Sequence, residues 1–181
     1  MRIGVIIGII IGIIILIMVA AWAVGYFGSS ASETIKPEGA VMGKALIVYD
    51  PGLSGGTKTV AGYMAEDLKA KGYEVKLAGV RSNEASDPSG YNLLIVGSPT
   101  YGAKPTGPIT SYLENLKSPG NITAGVYALA GRDTQDSNLV MAEMLQNKSI
   151  PVKVSVKYGN SAFGASADRS QYSDFISQLL A

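Results

Sequence analysis

The alternation of apolar and polar positions over residues 44–181 predicts strands and helices that follow one another in turn. Short apolar runs, some with polar residues at alternate positions, predict strands at 45–49, 73–80, 91–96, 124–130 and 151–158. Apolar residues spaced three and four apart predict helices at 57–70, 107–116, 137–146 and 169–180. The polar segment 81–90 has no regular period, and a short helical turn is the most that it predicts.

This succession favours an α/β domain whose mostly parallel sheet is covered by helices on both faces. The strand at 91–96 is apolar enough to be buried on both faces, as a central parallel strand would be. The strand at 151–158 alternates strictly, begins with Pro151 and carries lysines on one side. It is therefore expected at an exposed edge of the sheet.

Ahead of this domain, residues 3–24 contain no charged residue. At about 1.5 Å per residue, such a helix is long enough to cross a hydrocarbon core of about 30 Å. We therefore expect one membrane-spanning helix, with Trp22, Tyr26 and Phe27 in an aromatic belt at the far interface. The alternative is a cleaved secretory signal peptide, but the apolar run exceeds the roughly 7–15 residues of a signal core.

The predicted organisation is thus a membrane anchor at 1–28, a flexible polar linker at 29–43 and one domain at 44–181. The spacing of Gly4, Gly8 and Gly12 would let two membrane helices approach closely, which gives a hypothesis of homodimerisation. The charges that flank the apolar run weakly favour placing the domain outside the cell.

The amino-acid composition excludes several kinds of catalytic and metal-binding site. The chain has 181 residues, a net charge of +1, no cysteine and no histidine. Disulfides, thiol catalysis, Cys/His zinc sites and histidine base chemistry are therefore excluded. No basic stripe with interleaved aromatic residues is present, which argues against a nucleic-acid partner. We find no candidate catalytic residue and no metal-ligand set.

The loop at 50–57 lies between a predicted strand and a predicted helix and is rich in glycine. Glycines let the backbone come close to a ligand, and the first N–H groups of a helix have no partner within it. With the hydroxyls of Ser54, Thr57 and Thr59, this combination suits a phosphate group, although a plain turn without a ligand is the alternative.

Two further loops, 97–105 and 131–136, follow the strands at 91–96 and 124–130. Because ligands of parallel sheets bind beyond the carboxyl ends of the strands, all three loops are expected to gather at one edge and form a site.

Two phosphate motifs compete for the first loop. The segment 52–59 resembles the nucleotide-triphosphatase pattern G-x-x-x-x-G-K-[ST], with Lys58 and Thr59 in place but Thr57 where the second glycine should be. That motif also needs an apolar strand that ends in a magnesium-binding aspartate, whereas Asp133 lies three residues past its strand. Nucleotide binding of this type is the weaker interpretation.

The better match is to the flavodoxin family, whose phosphate loop has the pattern [ST]-x-[ST]-G-x-T. Ser54-Gly55-Gly56-Thr57 fits its later part, while Gly52 departs from the first hydroxyl position. In addition, Ser98-Pro99-Thr100-Tyr101-Gly102 resembles the family segment that carries an aromatic ring against the flavin. The resemblance implies a flavodoxin-like three-layer sandwich with a five-stranded parallel sheet in the order 2-1-3-4-5, and FMN as the cofactor.

The resemblance also implies a set of binding residues. The phosphate would be held by Leu53, Ser54, Gly55, Gly56 and Thr57, and the ring by Pro99, Thr100, Tyr101, Gly102, Ala130, Gly131, Arg132 and Asp133. Tyr101 supplies flat apolar contact. No second aromatic residue lies between Ala130 and Ser137, so one face of the ring is expected to be more open.

Electron transfer through FMN is the function that these expectations favour, with a redox partner protein or a quinone as the partner. Two alternatives stay open: an FMN-dependent NAD(P)H:quinone oxidoreductase at the membrane, and an interaction module that kept the fold without the flavin.

Overall fold

The computed structural model describes residues 2–117, 120–131, 136–159, 166 and 168–181, without the side chains of 2–5, 21, 22 and 24–27. Its helices are α1 (Arg2–Ser30), α2 (Gly56–Ala70), α3 (Gly107–Asn115), α4 (Ser137–Gln146) and α5 (Ser170–Leu180). Its strands are β1 (Ser32–Ile35), β2 (Gly43–Tyr49), β3 (Tyr73–Gly79), β4 (Leu93–Tyr101), β5 (Lys104–Pro105), β6 (Thr123–Ala130) and β7 (Val152–Gly159). A single 3₁₀ turn, Asn83–Ser86, occupies the polar segment after β3.

The strands form one mostly parallel sheet, which confirms the α/β class. The predicted strand count and order need correction, because the described sheet has seven strands in the order β1-β3-β2-β4-β6-β7, with β5 paired to β4. Its five parallel strands, β3-β2-β4-β6-β7, keep the relative order that was predicted. The two additional strands, β1 and β5, pair antiparallel.

Helices cover both faces of the sheet because its central strands are apolar on both sides. Along β2, Ala45, Ile47 and Tyr49 belong to the core beneath α2 and α5. Leu46 and Val48 belong to the core beneath α3 and α4. This alternation gives the expected three layers, and β7 lies at a sheet edge as predicted.

The segment 29–43 is not the wholly flexible linker that its polarity suggested. Within it, β1 pairs with β3, from Ser32 opposite Ala78 to Ile35 opposite Val75. The outer edge of β3 would otherwise present unpaired backbone groups, and this short polar strand satisfies them. The polar residues of β1 led to the prediction of a flexible linker. An edge strand needs little apolar surface, so its sequence can look like that of a linker.

The interpretation of 97–105 as an open loop was also wrong. β4 continues to Tyr101, and a two-residue turn at Gly102 (φ 59°) and Ala103 (φ 66°) leads into β5. Positive φ angles at both central residues are typical of a tight hairpin turn. In the sequence, Gly97 indicates a loop. In the structure, this position must be glycine for the core to pack, because a Cβ there would collide with the ring of Tyr127 on β6.

The apolar N-terminal segment forms α1, and its large side chains over 6–19 are each at least half exposed. Across the described part of the chain, where the side chains of α1 are given over 6–20, 23 and 28–30, no helix is long and apolar enough to cross a membrane. The membrane-spanning helix expected at 3–24 therefore lacks support here. A Cβ at Gly8 or Gly12 would meet nothing within 4 Å, and dimerisation through these glycines stays a prediction.

Replacing Gly97 by alanine should destabilise the protein, since the added methyl group has no room beside Tyr127. Overpacking of this kind costs about 1–3 kcal/mol, which we expect as a lower free energy of unfolding in urea for the full chain in mild detergent. Gly62→Ala is the matched control, because a Cβ at Gly62 in α2 meets nothing within 4 Å. It should stabilise by about 0.5–1 kcal/mol. Equal effects of the two variants would contradict this packing.

Candidate functional site

The first loop joins β2 to α2 at the carboxyl edge of the sheet. Gly55 precedes the helix with a left-handed backbone (φ 70°) and provides no side-chain cap. The Gly56 N–H donates to the Ser54 hydroxyl at 3.3 Å. The first hydrogen bond of the helix runs from the Thr59 N–H to the Gly55 carbonyl at 3.1 Å, so the N–H groups of Thr57 and Lys58 precede the first donor that has a partner in the helix. Because these donors and the helix dipole converge there, the start of α2 can bind an anion.

A hydrogen bond from Tyr127 fixes the start of α2. This fully buried side chain crosses the core from β6, and its hydroxyl donates a hydrogen bond of 2.8 Å to the Thr57 carbonyl. Gly97 leaves the space through which the ring passes. Sequence reasoning missed this support. The only available signal was a polar-tipped aromatic residue in an otherwise apolar strand, opposite a glycine in the neighbouring strand.

The first and second loops touch through Tyr101. Its hydroxyl accepts a 3.1 Å hydrogen bond from the Leu53 N–H, although half of the side chain is exposed. A Cβ at Gly52 (φ 61°) would lie 2.8 Å from Pro99 Cγ and 2.9 Å from the Tyr101 hydroxyl. Gly52 therefore has a structural reason to replace the hydroxyl residue of the flavodoxin pattern, since no side chain fits there.

Asp50 joins the same two loops through hydrogen bonds. Its carboxylate accepts the Gly52 N–H at 3.0 Å and the Thr106 hydroxyl at 2.7 Å. The Ser98 hydroxyl accepts the Thr106 N–H at 3.0 Å. These groups thus position the loops, and Asp50 already has partners for both of its carboxylate oxygens.

The third loop meets the second where α4 begins. A hydrogen bond joins the Thr100 and Ser137 hydroxyls. Ala130 is buried at the end of β6 and Gly131 is exposed beyond it, whereas Arg132 and Asp133 lie outside the described residues. The structure therefore places the first two predicted loops and the described ends of the third at one edge, and their use as an FMN site stays a prediction.

Several tyrosines behind the site are held neutral by burial. Burial raises the pKa of Tyr49 to about 12, with a smaller contribution from the negative charge of Glu33. It raises the pKa of Tyr127 well above the ordinary value of 10.0. The Tyr127 hydroxyl consequently remains a donor to Thr57 throughout the neutral range.

Comparison with known proteins shows similarity at the level of the fold. No protein-family model matches the chain, and no curated protein matches it. A short-chain flavodoxin associated with a non-canonical PDU bacterial microcompartment matches with a TM-score of 0.64 at 15% identity, over 77% of this chain and 97% of that one. A flavodoxin from the domain Archaea matches with a TM-score of 0.62 at 16% identity, over 76% and 99%.

Part of a larger protein has the same fold. Rubredoxin oxygen:oxidoreductase from Desulfovibrio gigas matches with a TM-score of 0.61 at 24% identity over 77% of this chain. The chain spans only 36% of the length of that protein. Together these matches show that the domain has a flavodoxin-like fold, and at such low identities they show the fold alone.

Alkaline pH should destabilise this core. Because the pKa values of Tyr49 and Tyr127 are raised on folding, the unfolded chain releases these protons first. Their contribution is fully present below a pH of about 10 and is lost as the pH rises toward about 12, by at most about 1.4 kcal/mol per pH unit for Tyr127. Urea unfolding at a series of pH values measures this loss. A free energy of unfolding that stays constant over this range would contradict the assignment.

Proposed function

We propose that this chain binds FMN at the carboxyl edge of its sheet and transfers electrons through it while α1 holds the protein at a membrane. The observation that carries the proposal is the meeting of an open helix N-terminus with a half-exposed tyrosine, contributed by adjacent loops of a flavodoxin-like fold. These are the two surfaces that a phosphate tail and a flat ring require.

The residues present fit this cofactor. The N–H groups at the start of α2, together with Ser54, would hold the phosphate, while Asp50 accepts hydrogen bonds from the Gly52 N–H of the same loop and from the Thr106 hydroxyl. Tyr101 and the backbone from Pro99 to Gly102 would hold the ring, with Ala130 and Gly131 at its polar edge. FMN, when bound, supplies the capacity to accept and release one or two electrons.

One contact must change when the phosphate binds. The Leu53 N–H is a donor of the phosphate loop, yet it already donates to the Tyr101 hydroxyl. Release of this hydrogen bond would free a donor for the phosphate and free the ring of Tyr101 to lie against the flavin. Tyr101 therefore covers the phosphate loop, and the cofactor would displace the Tyr101 side chain when it binds.

The membrane location is supported by the charge-free segment 3–24 and by the exposure of the apolar side chains over 6–19. A helix that exposes apolar groups around its whole circumference is stable where lipid surrounds it. The redox partner, a protein or a quinone, and a homodimer through Gly4, Gly8 and Gly12 belong to the same proposal.

An enzymatic role is the second candidate. A protein described as an NADH:FMN oxidoreductase matches this chain with a TM-score of 0.61 at 16% identity, which makes a flavin-dependent oxidoreductase, such as a quinone reductase, a reasonable alternative. Oxidation of a nicotinamide donor by the loaded protein, with quinone as acceptor, would distinguish this role from electron transfer between proteins.

The proposal predicts that the full chain, purified in mild detergent, binds FMN far more tightly than riboflavin. Two or more hydrogen bonds from the α2 N-terminus to a charged phosphate, at about 1.5–3 kcal/mol each, correspond to a difference of at least about 100-fold in Kd. Fluorescence quenching of each added flavin measures the two constants.

Riboflavin is the matched control, because it differs from FMN only in lacking the phosphate. Equal affinity for the two flavins would contradict a phosphate site in the first loop. Binding of neither flavin would favour the interaction module, and binding of ATP with magnesium instead would favour the nucleotide-triphosphatase motif.

A further inference from the structure

The end of α1 is fixed to the carboxyl edge of the sheet. The Ser29 carbonyl accepts the Arg81 N–H at 2.7 Å, and the Ala31 carbonyl accepts the Gly79 N–H at 2.8 Å. Ser29 is only 3% exposed, and a Cβ at Gly79 would collide with its carbonyl group. The chain therefore leaves α1 and joins β3 with no free tether between them.

The same end of α1 lies beside the proposed phosphate loop. A Cβ at Gly28 would lie 3.3 Å from Pro51 Cγ, at the start of that loop. The apolar segment 3–24 ends four residues earlier. At 1.5 Å per helical residue, the loop therefore lies only about 6 Å along the helix from the end of the apolar segment.

Apolar side chains are also exposed along this edge. Of the exposed large apolar residues that the structure describes outside α1, four lie at or beyond the carboxyl ends of β2, β4 and β6, namely Leu53, Tyr101, Leu139 and Val140. The other two, Val41 and Met42, precede β2 at the opposite edge. Four of these six residues in the described part of the chain thus lie at the edge that joins α1.

From these three observations we infer that the carboxyl edge of the sheet lies against the surface of the lipid bilayer in which α1 is embedded. This inference rests on the membrane location proposed above and adds the orientation of the domain. The carboxyl ends of β2, β4 and β6 then face the membrane, so a redox partner reaches them from the bilayer or along its surface.

A bilayer explains the exposed surface better than a second copy of the chain. Over 6–19, α1 exposes large apolar side chains at consecutive positions, which places them on every side of the helix. A protein partner of one helix covers one face, whereas lipid covers all of them. The short connection at 29–31 then brings the apolar edge of the domain to the same surface.

Single cysteines can test the orientation, because the natural chain contains none. Leu139→Cys places a fluorescent label at the carboxyl edge, and Ser89→Cys places it on an exposed position near the amino edge. The full chain is reconstituted into vesicles of phosphatidylcholine and phosphatidylglycerol that contain spin-labelled lipid. Because parallel strands of seven residues separate the edges by about 23 Å, we expect quenching at position 139 to exceed that at position 89 by at least about threefold.

Val140→Cys is a second variant at the same edge and should give the same result if Leu139→Cys does not fold. Flotation with the vesicles and FMN binding are measured on the same samples. Flotation with equal quenching at the two edges overturns this inference alone, whereas failure to float overturns the membrane location as well. Disulfide-linked dimers through position 139 would overturn it in favour of an interface between copies.

Discussion

The position of the candidate site depends on one buried hydrogen bond, from the Tyr127 hydroxyl to the Thr57 carbonyl. A phenol at 0% exposure must find an acceptor, because an unpaired buried hydroxyl costs about 1–3 kcal/mol. Here the acceptor is the first turn of α2, and Gly97 provides the space that the ring needs. The core of the domain thereby fixes where the helix begins and where its free N–H groups point.

Further hydrogen bonds hold the loops at this edge of the sheet in place. Asp50 and Thr106 join the first loop to the segment after β5, and Ser137 joins the second loop to α4. A site whose loops are already held in place loses less conformational freedom when a ligand binds. Because α1 is attached at the same edge, this helix and the loops of the candidate site share one side of the domain.

Much of the fold could be predicted from the sequence, since apolar spacing alone placed α4 at 137–146, where the structure has Ser137–Gln146. The errors arose where tertiary contacts override local signals. Gly97 and Pro99 indicated a loop, yet pairing with β6 continues the strand through both. The role of Tyr127 could not be predicted, because nothing local to β6 reveals that its hydroxyl meets a helix 70 residues away in the sequence.

The most direct test of this account is the affinity of the Tyr127→Phe variant for FMN and for riboflavin. If the hydrogen bond to Thr57 positions the phosphate donors, its loss should weaken FMN binding by about fivefold to tenfold, which corresponds to roughly 1 kcal/mol, and leave riboflavin binding unchanged. Unchanged FMN affinity, or an equal loss for both flavins, would contradict the claim that the core sets the geometry of the phosphate loop.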